Sequence, residues 1–212
     1  MSDDQIFLAL EIVGTIAFSI SGAMVGVKKK MDIFGVIILG LCTAVGGGII
    51  RDLILGITPP ATFRNSVYSV TSVITSIIIF IPEVRRAIDK FAKFYDRLWL
   101  FADSVGLGIF TVAGVRMSYA VSYEYSHYLV VFVAVITGVG GGILRDILAD
   151  EAPQIFRKHF YATASIIGAI ICSFMWMYVR ADVCMMTGAI LITVLRIMAA
   201  TFRWKLPQAE SL

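Results

Sequence analysis

The chain has 212 residues, of which 58% are hydrophobic and 16% are charged, and its net charge is +3. Because soluble domains carry about 45–50% apolar and about 25% charged residues, this composition excludes an ordinary soluble domain and predicts an integral membrane protein. Because the net charge is small, the positions of the charged residues are more informative than their sum. We expect no nucleic-acid partner.

Seven apolar runs follow one another along the chain, each close to the length of about 20 residues that a spanning helix needs. They cover residues 6–27, 33–55, 63–82, 98–117, 127–149, 159–179 and 183–202. The acidic start MSDDQ lacks the basic region of a signal peptide, so we expect the first run to be retained as a helix. The sequence therefore predicts an all-α integral membrane protein with seven transmembrane helices.

Basic residues predict the orientation, because loops that face the cytoplasm carry an excess of Lys and Arg. With the N-terminus outside, 13 basic residues lie in inner segments and 4 in outer segments. We therefore predict an external N-terminus and a cytoplasmic C-terminus. The inner clusters would also attract anionic headgroups of membrane lipids, the expected partners, although their role in topology accounts for them by itself.

Two parts of the chain resemble each other at a nearly constant distance in sequence. Residues 11–28 align with 103–116 at an offset of 92, the motif GGGxxRD returns at 94, and residues 60–69 align with 153–162 at 93. Such self-similarity indicates an internal duplication. Because each copy holds three spans, the second copy must enter the membrane from the opposite side, which gives an inverted-topology repeat.

The duplication predicts four segments. Residues 1–82 form the first three-helix repeat, 83–97 a basic cytoplasmic linker, 98–180 the inverted second repeat, and 181–212 the seventh helix with a cytoplasmic tail.

Each repeat places three consecutive glycines in the middle of its second span. The triplets are Gly46, Gly47 and Gly48 in span two and Gly140, Gly141 and Gly142 in span five. Since one glycine costs about 1 kcal/mol relative to alanine inside a helix, three together predict a kink or unwinding. Carbonyls freed there could ligate a cation in a water-filled cavity. Close helix packing is an alternative role for small residues and is compatible with a kink.

Six of the charged residues within the predicted spans are candidates for the path or its mouths, because charge is costly there and often functional. They are Glu11, Arg51, Asp52, Asp103, Arg145 and Asp146. Glu11 and Arg51 lie at matching depth near the outer face, as do Asp103 and Arg145 near the inner face, so we predict one ion pair near each mouth. Snorkelling to the interface is the alternative.

The second carboxylate of each motif is expected to behave differently. Helical neighbours diverge by about 100°, so we expect Asp52 and Asp146 to bind other partners or to face water.

Hydroxyl side chains in the spans are candidates for the polar lining of a path. They are Thr15, Ser19, Thr43, Thr111 and Thr137. Helix hydroxyls often bond only their own backbone, and this alternative is favoured for most of them individually. We find no phosphate loop, metal-ligand spacing or nucleophile–base set, so we expect no enzyme, catalytic residue, metal site or cofactor.

The doubled GGGxxRD motif in a seven-span chain of about this length resembles the prokaryotic branch of the trimeric intracellular cation (TRIC) channels, also catalogued as a "glycine transporter" domain family. The resemblance implies a homotrimer in the inner membrane of a bacterium or archaeon. Each protomer would carry a pore for monovalent cations, chiefly K⁺, between kinked second and fifth helices, with lipid as a further ligand. The Lys-Glu-Val tripeptide of animal members is absent, so their gating does not transfer.

The residues leave two mechanisms open. In a channel, the kinks widen a continuous pore between the two mouths. In a transporter of a small amino acid such as glycine, the same kinks bind substrate, arginines hold its carboxylate, and the halves rock between two states. A structural membrane scaffold is a third class, which the polar residues near the midplane disfavour.

Overall fold

The computed structural model describes residues 3–89, 92–157 and 160–204, and all regular structure in these ranges is helical. The helices are α1 (Asp3–Lys28), α2 (Ile33–Ile54), α3 (Ala61–Arg64), α4 (Val67–Phe80), α5 (Pro82–Asp89), α6 (Ala92–Val121), α7 (His127–Leu148), α8 (Gln154–Arg157), α9 (Tyr161–Met175) and α10 (Ala181–Thr201). The predicted all-α class is confirmed. Most of the predicted cytoplasmic tail, beyond residue 204, lies outside the described residues.

Five of these helices are long and apolar enough to cross a membrane: α1, α2, α6, α7 and α10. Predicted spans three and six are shorter than expected, because α4 has 14 residues and α9 has 15. A one-turn helix precedes each of them: α3 overlaps the start predicted for span three, whereas α8 ends before residue 159, where span six was predicted to begin. The count of seven membrane crossings therefore stays a prediction.

The start of α4 explains the wrong boundary of span three. Phe63 continues the apolar run, but it belongs to α3 and is 70% exposed. Asn65 then adopts an extended backbone conformation, and its side-chain oxygen accepts a hydrogen bond from the Val67 N–H at 3.0 Å. Because this local bond competes with helix formation, α3 ends at Arg64 and a new helix begins at Val67.

The order of elements recurs along the chain. Helices α1 to α4 and α6 to α9 each comprise a long helix, a 22-residue helix, a one-turn helix and a shorter apolar helix. The 22-residue helices begin alike, with side chains of Asp32 and Ser126 accepting a backbone N–H from the first turn. They also end alike, since Gly56 and Asp150, 94 residues apart, both have a positive φ. The amphipathic helix α5 and the first turns of α6 occupy the predicted linker.

The two copies meet at the centre of the protein. Helix α2 packs against α7, α1 packs against α6, and α10 packs on α6 and α9. Phe18 and Phe110, which are aligned in the repeat, stack on each other with ring centroids 5.2 Å apart. Aligned residues of two copies contact each other when the copies are related by a two-fold axis, so this stacking indicates such a relation. This arrangement places the two GGGxxRD motifs on neighbouring helices in the interior.

Candidate functional site in two buried charge clusters

The glycine triplets lie where α2 and α7 cross. A Cβ atom added to Gly47 would overlap the Thr137 carbonyl oxygen, and one added to Gly141 would overlap the Thr43 carbonyl oxygen. The two backbones are therefore in contact, and the contact is reciprocal between the copies. The packing role of small residues, which the sequence analysis held as an alternative, is the one observed here.

The helices do not unwind at the triplets. Both α2 and α7 continue without interruption through their glycines. The prediction of unwinding is wrong. Unwinding leaves several backbone groups without a partner, each at a cost of several kcal/mol in the membrane, which exceeds the roughly 3 kcal/mol of helix propensity lost at three glycines. Neither helix has an unwound segment at its triplet whose carbonyls could ligate a cation. A bend that preserves the helical hydrogen bonds stays a prediction.

The first charge cluster consists of Glu11 on α1, Arg51 and Asp52 on α2, and Tyr68 on α4. Arg51 Nη1 lies 3.9 Å from Glu11 Oε1, and Arg51 Nε donates to Asp52 Oδ1 at 2.8 Å. Tyr68 Oη donates to Glu11 Oε2. Asp52 Oδ2 accepts from the N–H of Ala61, the first residue of α3, at 2.7 Å.

The second charge cluster consists of Asp103 on α6, Arg145 and Asp146 on α7, and Ser21 on α1. Arg145 Nη1 donates to Asp103 Oδ1 and, at 2.6 Å, to Ser21 Oγ. Arg145 Nε donates to Asp146 Oδ1 at 2.9 Å. Asp146 Oδ2 accepts from the N–H of Gln154, the first residue of α8, at 2.8 Å. The two clusters thus repeat one pattern in the two copies.

Both predicted ion pairs form, and snorkelling to the interface is wrong. Glu11 and Arg51 are 6% and 5% exposed, and Asp103 and Arg145 are both 0% exposed. These side chains lie inside the protein, so each charge is compensated by protein groups and does not extend to the membrane surface.

The expectation for Asp52 and Asp146 is wrong in part. Each binds the arginine that precedes it, because a long arginine side chain folds back along the helix although the Cβ directions diverge. Each also binds the backbone of the following one-turn helix. The Arg-Asp dipeptide therefore connects the buried charges to the loop that follows α2 or α7.

The five candidate hydroxyl residues are all buried. Each donates to the carbonyl four residues earlier in its own helix, as the backbone alternative predicted. Two of them also join helices. Ser19 Oγ lies 2.8 Å from Ser72 Oγ, and Thr111 Oγ1 lies 2.8 Å from Ser165 Oγ. These contacts are equivalent in the two copies, and they fix α4 to α1 and α9 to α6.

The clusters differ in their access to space. A cavity of about 160 Å³ lies beside the first cluster, and its polar wall includes Glu11, Thr15, Arg51 and Tyr68. The second cluster is closed, since its Asp103 and Arg145 side chains have no exposed surface. Of the five candidate hydroxyl residues, Thr15 lines this cavity.

Several residues in or beside the clusters were not predicted from the sequence. Tyr68 and Tyr161 were aligned in the repeat, which was a usable signal, but received no role. Arg196 on α10 is buried, with its guanidinium carbon 5.1 Å from the centre of the Tyr161 ring. An arginine inside an otherwise apolar span was the sequence feature that could have identified Arg196. Among the described residues, no group of three His, Cys, Asp or Glu side chains is placed to hold a metal ion.

Comparison with known proteins identifies the family. The sequence profile described as "Glycine transporter" matches residues 8–83 and 100–177, which is more than half of the chain. The inner membrane protein YadS of Escherichia coli is 38% identical over 204 residues, covering 93% of each chain. The membrane protein YvgT of Bacillus subtilis is 33% identical over 199 residues, covering 93% of this chain and 94% of its own.

Solved structures name the family more closely. A TRIC cation channel whose structure accounts for conductance has a TM-score of 0.86 and 38% identity, and the match covers 100% of this chain and 99% of that one. The chain is a member of the TRIC channel family. A TRIC trimeric intracellular cation channel orthologue from Rhodobacter sphaeroides has a TM-score of 0.81 and 30% identity, and the match covers 93% of this chain and 98% of that one.

Membership in the TRIC family agrees with the duplication. The two matched segments, 8–83 and 100–177, hold most of α1 to α4 and of α6 to α9 respectively. Helix α10 lies beyond both. This TRIC protein is therefore a multi-pass membrane protein, and its named relatives and solved neighbours are membrane proteins and channels, not enzymes.

Proposed function

We propose that this protein is a monovalent cation channel, chiefly for K⁺, with one pore in each protomer of a homotrimer. The observation that carries the proposal is the match, over the whole chain, to a solved TRIC cation channel. The trimer rests on a solved neighbour described as trimeric. Membrane lipids surround the trimer, the N-terminus faces outward, and α4 and α9 complete seven crossings of the inner membrane.

The pore runs between the two copies, along α2 and α7. It enters at the first charge cluster, where a cavity of about 160 Å³ borders Glu11 and Arg51. It passes the crossing of the glycine triplets and leaves at the second cluster. Since α2 and α7 keep their helical hydrogen bonds, side chains and water contact the ion, and freed carbonyls do not.

The inner end of the pore is closed in this conformation. Arg145 is held by Asp103, Ser21 and Asp146 at the same time. A cation passing here meets a guanidinium group, which repels it unless the arginine moves away from Asp103. We place the constriction at the Arg145–Asp103 contact.

Planar-bilayer recording tests the channel. Purified protein in a KCl gradient should give unitary currents that reverse close to the K⁺ equilibrium potential. The same preparation in a gradient of N-methyl-D-glucamine chloride should give no such currents, because that cation is too large for the cavity. The absence of unitary K⁺ currents from correctly folded trimers would contradict the proposal.

A second function, secondary transport of a small amino acid such as glycine, is favoured by one observation. Glu11 Oε1 and Arg51 Nη1 lie 3.9 Å apart on the wall of the same cavity, so opposite charges face a space large enough for a small zwitterion. Liposome uptake of labelled glycine distinguishes the two. Saturable uptake that Arg51→Ala abolishes, in a protein that gives no unitary currents, would establish the transporter in place of the channel.

A further inference from the structure

We infer that Tyr161 is a gating residue, whose hydroxyl becomes the partner of the Asp103 carboxylate when Arg145 moves away. This inference rests on the proposed channel, because it states how the Arg145–Asp103 constriction opens. The first charge cluster already contains the bond that the second would form, since Tyr68 Oη donates to Glu11. Tyr68 and Tyr161 are aligned in the repeat at the offset of 93, and Glu11 and Asp103 at the offset of 92. The two copies therefore hold the same groups in two arrangements.

In the first charge cluster, both oxygens of the Glu11 carboxylate have partners. Tyr68 Oη donates to Glu11 Oε2, and Arg51 Nη1 lies 3.9 Å from Glu11 Oε1. Arg116 also acts on Glu11 electrostatically. The carboxylate of the first copy is thus bound by its tyrosine and does not depend on one arginine alone.

In the second charge cluster, the equivalent bond between tyrosine and carboxylate is not made. Asp103 Oδ1 accepts from Arg145 and Ser21. Asp103 Oδ2 and Tyr161 Oη, however, have no hydrogen-bond partner among the described residues, and the two residues are 0% and 1% exposed. A buried polar group without a partner is costly, and an acceptor and a donor that both lack one can satisfy each other.

The Tyr161 hydroxyl lies beside the guanidinium group that it would replace. A Cβ atom added to Gly142 would be 2.7 Å from Tyr161 Oη and 3.8 Å from Arg145 Nη2. Among the charged groups that act on Tyr161 electrostatically, Asp103 has the largest effect and Arg145 the next. The hydroxyl is therefore close to both members of the ion pair while it is bonded to neither.

The aligned position in the first copy differs in its tyrosine and not in its arginine. A Cβ atom added to Gly48 would also lie 3.8 Å from the arginine, Arg51 Nη2, but no atom of Tyr68 lies within 4 Å of it. The tyrosine hydroxyl thus has two positions in the two copies. In one it lies beside the last glycine of the triplet, and in the other it is bonded to the carboxylate.

Opening the constriction requires a new partner for Asp103. Removal of one member of a buried ion pair is strongly unfavourable, because the other charge stays buried without its partner. Tyr161 can donate to Asp103 Oδ2, the oxygen that Arg145 does not use. Arg145 meanwhile keeps Asp146 as its anion through the bond from Nε at 2.9 Å. The exchange therefore leaves neither buried charge alone, and Tyr161 acts by positioning the carboxylate.

Planar-bilayer recording and thermal unfolding of Tyr161→Phe test this role together. Because the hydroxyl has no partner in the described part of the chain, its loss should not lower the unfolding midpoint. The ratio of open to closed time should fall by about tenfold or more, as expected for the loss of one hydrogen bond to a charged group, with the unitary conductance unchanged. Tyr68→Phe should lower the midpoint, because its hydroxyl is bonded to Glu11. Tyr178→Phe, at a tyrosine that is 88% exposed, should change neither quantity.

Gly142→Ala should change the gating in the opposite direction. The added methyl group would lie 2.7 Å from Tyr161 Oη, which is too close, so the hydroxyl is displaced from its present position. The ratio of open to closed time should rise severalfold. The double variant Gly142→Ala/Tyr161→Phe should lose this rise, because no hydroxyl is left to bind Asp103.

The outcomes separate the gating role from the channel itself. An unchanged ratio in Tyr161→Phe overturns the role of Tyr161 and leaves the channel standing, as does a rise in Gly142→Ala that persists in the double variant. A midpoint of Tyr161→Phe that falls as far as that of Tyr68→Phe also overturns the role, because the hydroxyl would then be bonded already. A wild type without unitary currents removes the channel and the gating role with it.

Discussion

Arg51 and Arg145 occupy the same position of the same motif, yet their neighbours differ. Arg145 has no exposed surface and binds two carboxylates and a serine hydroxyl. Arg51 borders a cavity and binds one carboxylate closely. Since a buried charge is expensive once its partner is lost, the two arginines should respond differently to the removal of a neighbouring carboxylate.

Asp103→Asn should destabilise the protein strongly. It leaves the Arg145 charge buried with Asp146 as its remaining anion, and breaking a buried pair costs about 3–5 kcal/mol. Thermal unfolding in detergent, followed by tryptophan fluorescence, measures the change in midpoint. An Asp103→Asn midpoint equal to that of the wild type would show that the second cluster contributes nothing to folding.

Glu151→Gln is the matched control for this prediction. Glu151 pairs with Lys29 at 3.0 Å, with side chains 48% and 33% exposed. Such a surface pair is worth about 0–1 kcal/mol, so its loss should change the midpoint little at neutral pH. The hydrogen bond from Lys29 lowers the pKa of Glu151 below its ordinary value of 4.5. The small stabilisation is therefore present above that value and is lost as the pH falls through the lowered pKa.

At the scale of the element, the three glycines of one triplet have three different surroundings. A Cβ on Gly47 would overlap the backbone of α7, one on Gly46 would overlap the Leu144 side chain, and one on Gly48 would meet nothing closer than Arg51 Nη2 at 3.8 Å. Gly47 must therefore stay small for the two helices to meet. Gly46 is limited only by a side chain, and Gly48 has space for a larger residue.

Gly47→Ala should therefore lower the unfolding midpoint, whereas Gly48→Ala should be neutral or stabilising by up to about 1 kcal/mol, the difference in helix propensity. Gly141→Ala in α7 should behave like Gly47→Ala, because its Cβ would overlap the Thr43 carbonyl oxygen. Thermal unfolding of the three variants measures this. If poor helix propensity at the triplet were the property required for folding, Gly48→Ala would be as harmful as Gly47→Ala, and the packing explanation would fail.

At the scale of the whole molecule, the two repeats share one sequence pattern, but only the first charge cluster has been found beside a cavity. Thr15 and Leu107, its counterpart in the repeat, are both buried, but Thr15 borders the cavity on the side predicted to face outward. Inverted repeats often alternate between such states. In the conformation described here, a cavity borders the first cluster, whereas the Asp103 and Arg145 side chains of the second have no exposed surface.

Cysteine labelling tests this asymmetry. In a variant whose three native cysteines are replaced by alanine, Thr15→Cys should react with a small cationic methanethiosulfonate added from outside. Leu107→Cys should react on the order of tenfold or more slowly, since thiol reactivity requires access. Mass spectrometry after timed labelling gives both rates. Equal rates would contradict the asymmetry, and labelling of Thr15→Cys from the inside alone would contradict the predicted orientation.

Periodicity and charge predicted the helices and the two ion pairs because both depend on the type of residue at a given depth. They did not predict how α2 and α7 meet. Glycine both weakens a helix and permits contact, and the choice between these effects depends on Thr43 and Thr137 of the opposite copy. Helix α3 was not separated from span three because the polar residues Arg64, Asn65 and Ser66 are too few to interrupt a run of apolar sequence. Helix α8, a single turn between two predicted spans, is too short to show a helical period.

The double use of Asp52 and Asp146 has a mechanical meaning. One oxygen of each carboxylate binds the arginine, and the other binds the first backbone N–H of the next short helix. Because the two bonds share one carboxylate, we expect a displacement of either arginine to strain the bond to the following short helix. A displacement of that short helix should likewise strain the bond to the arginine.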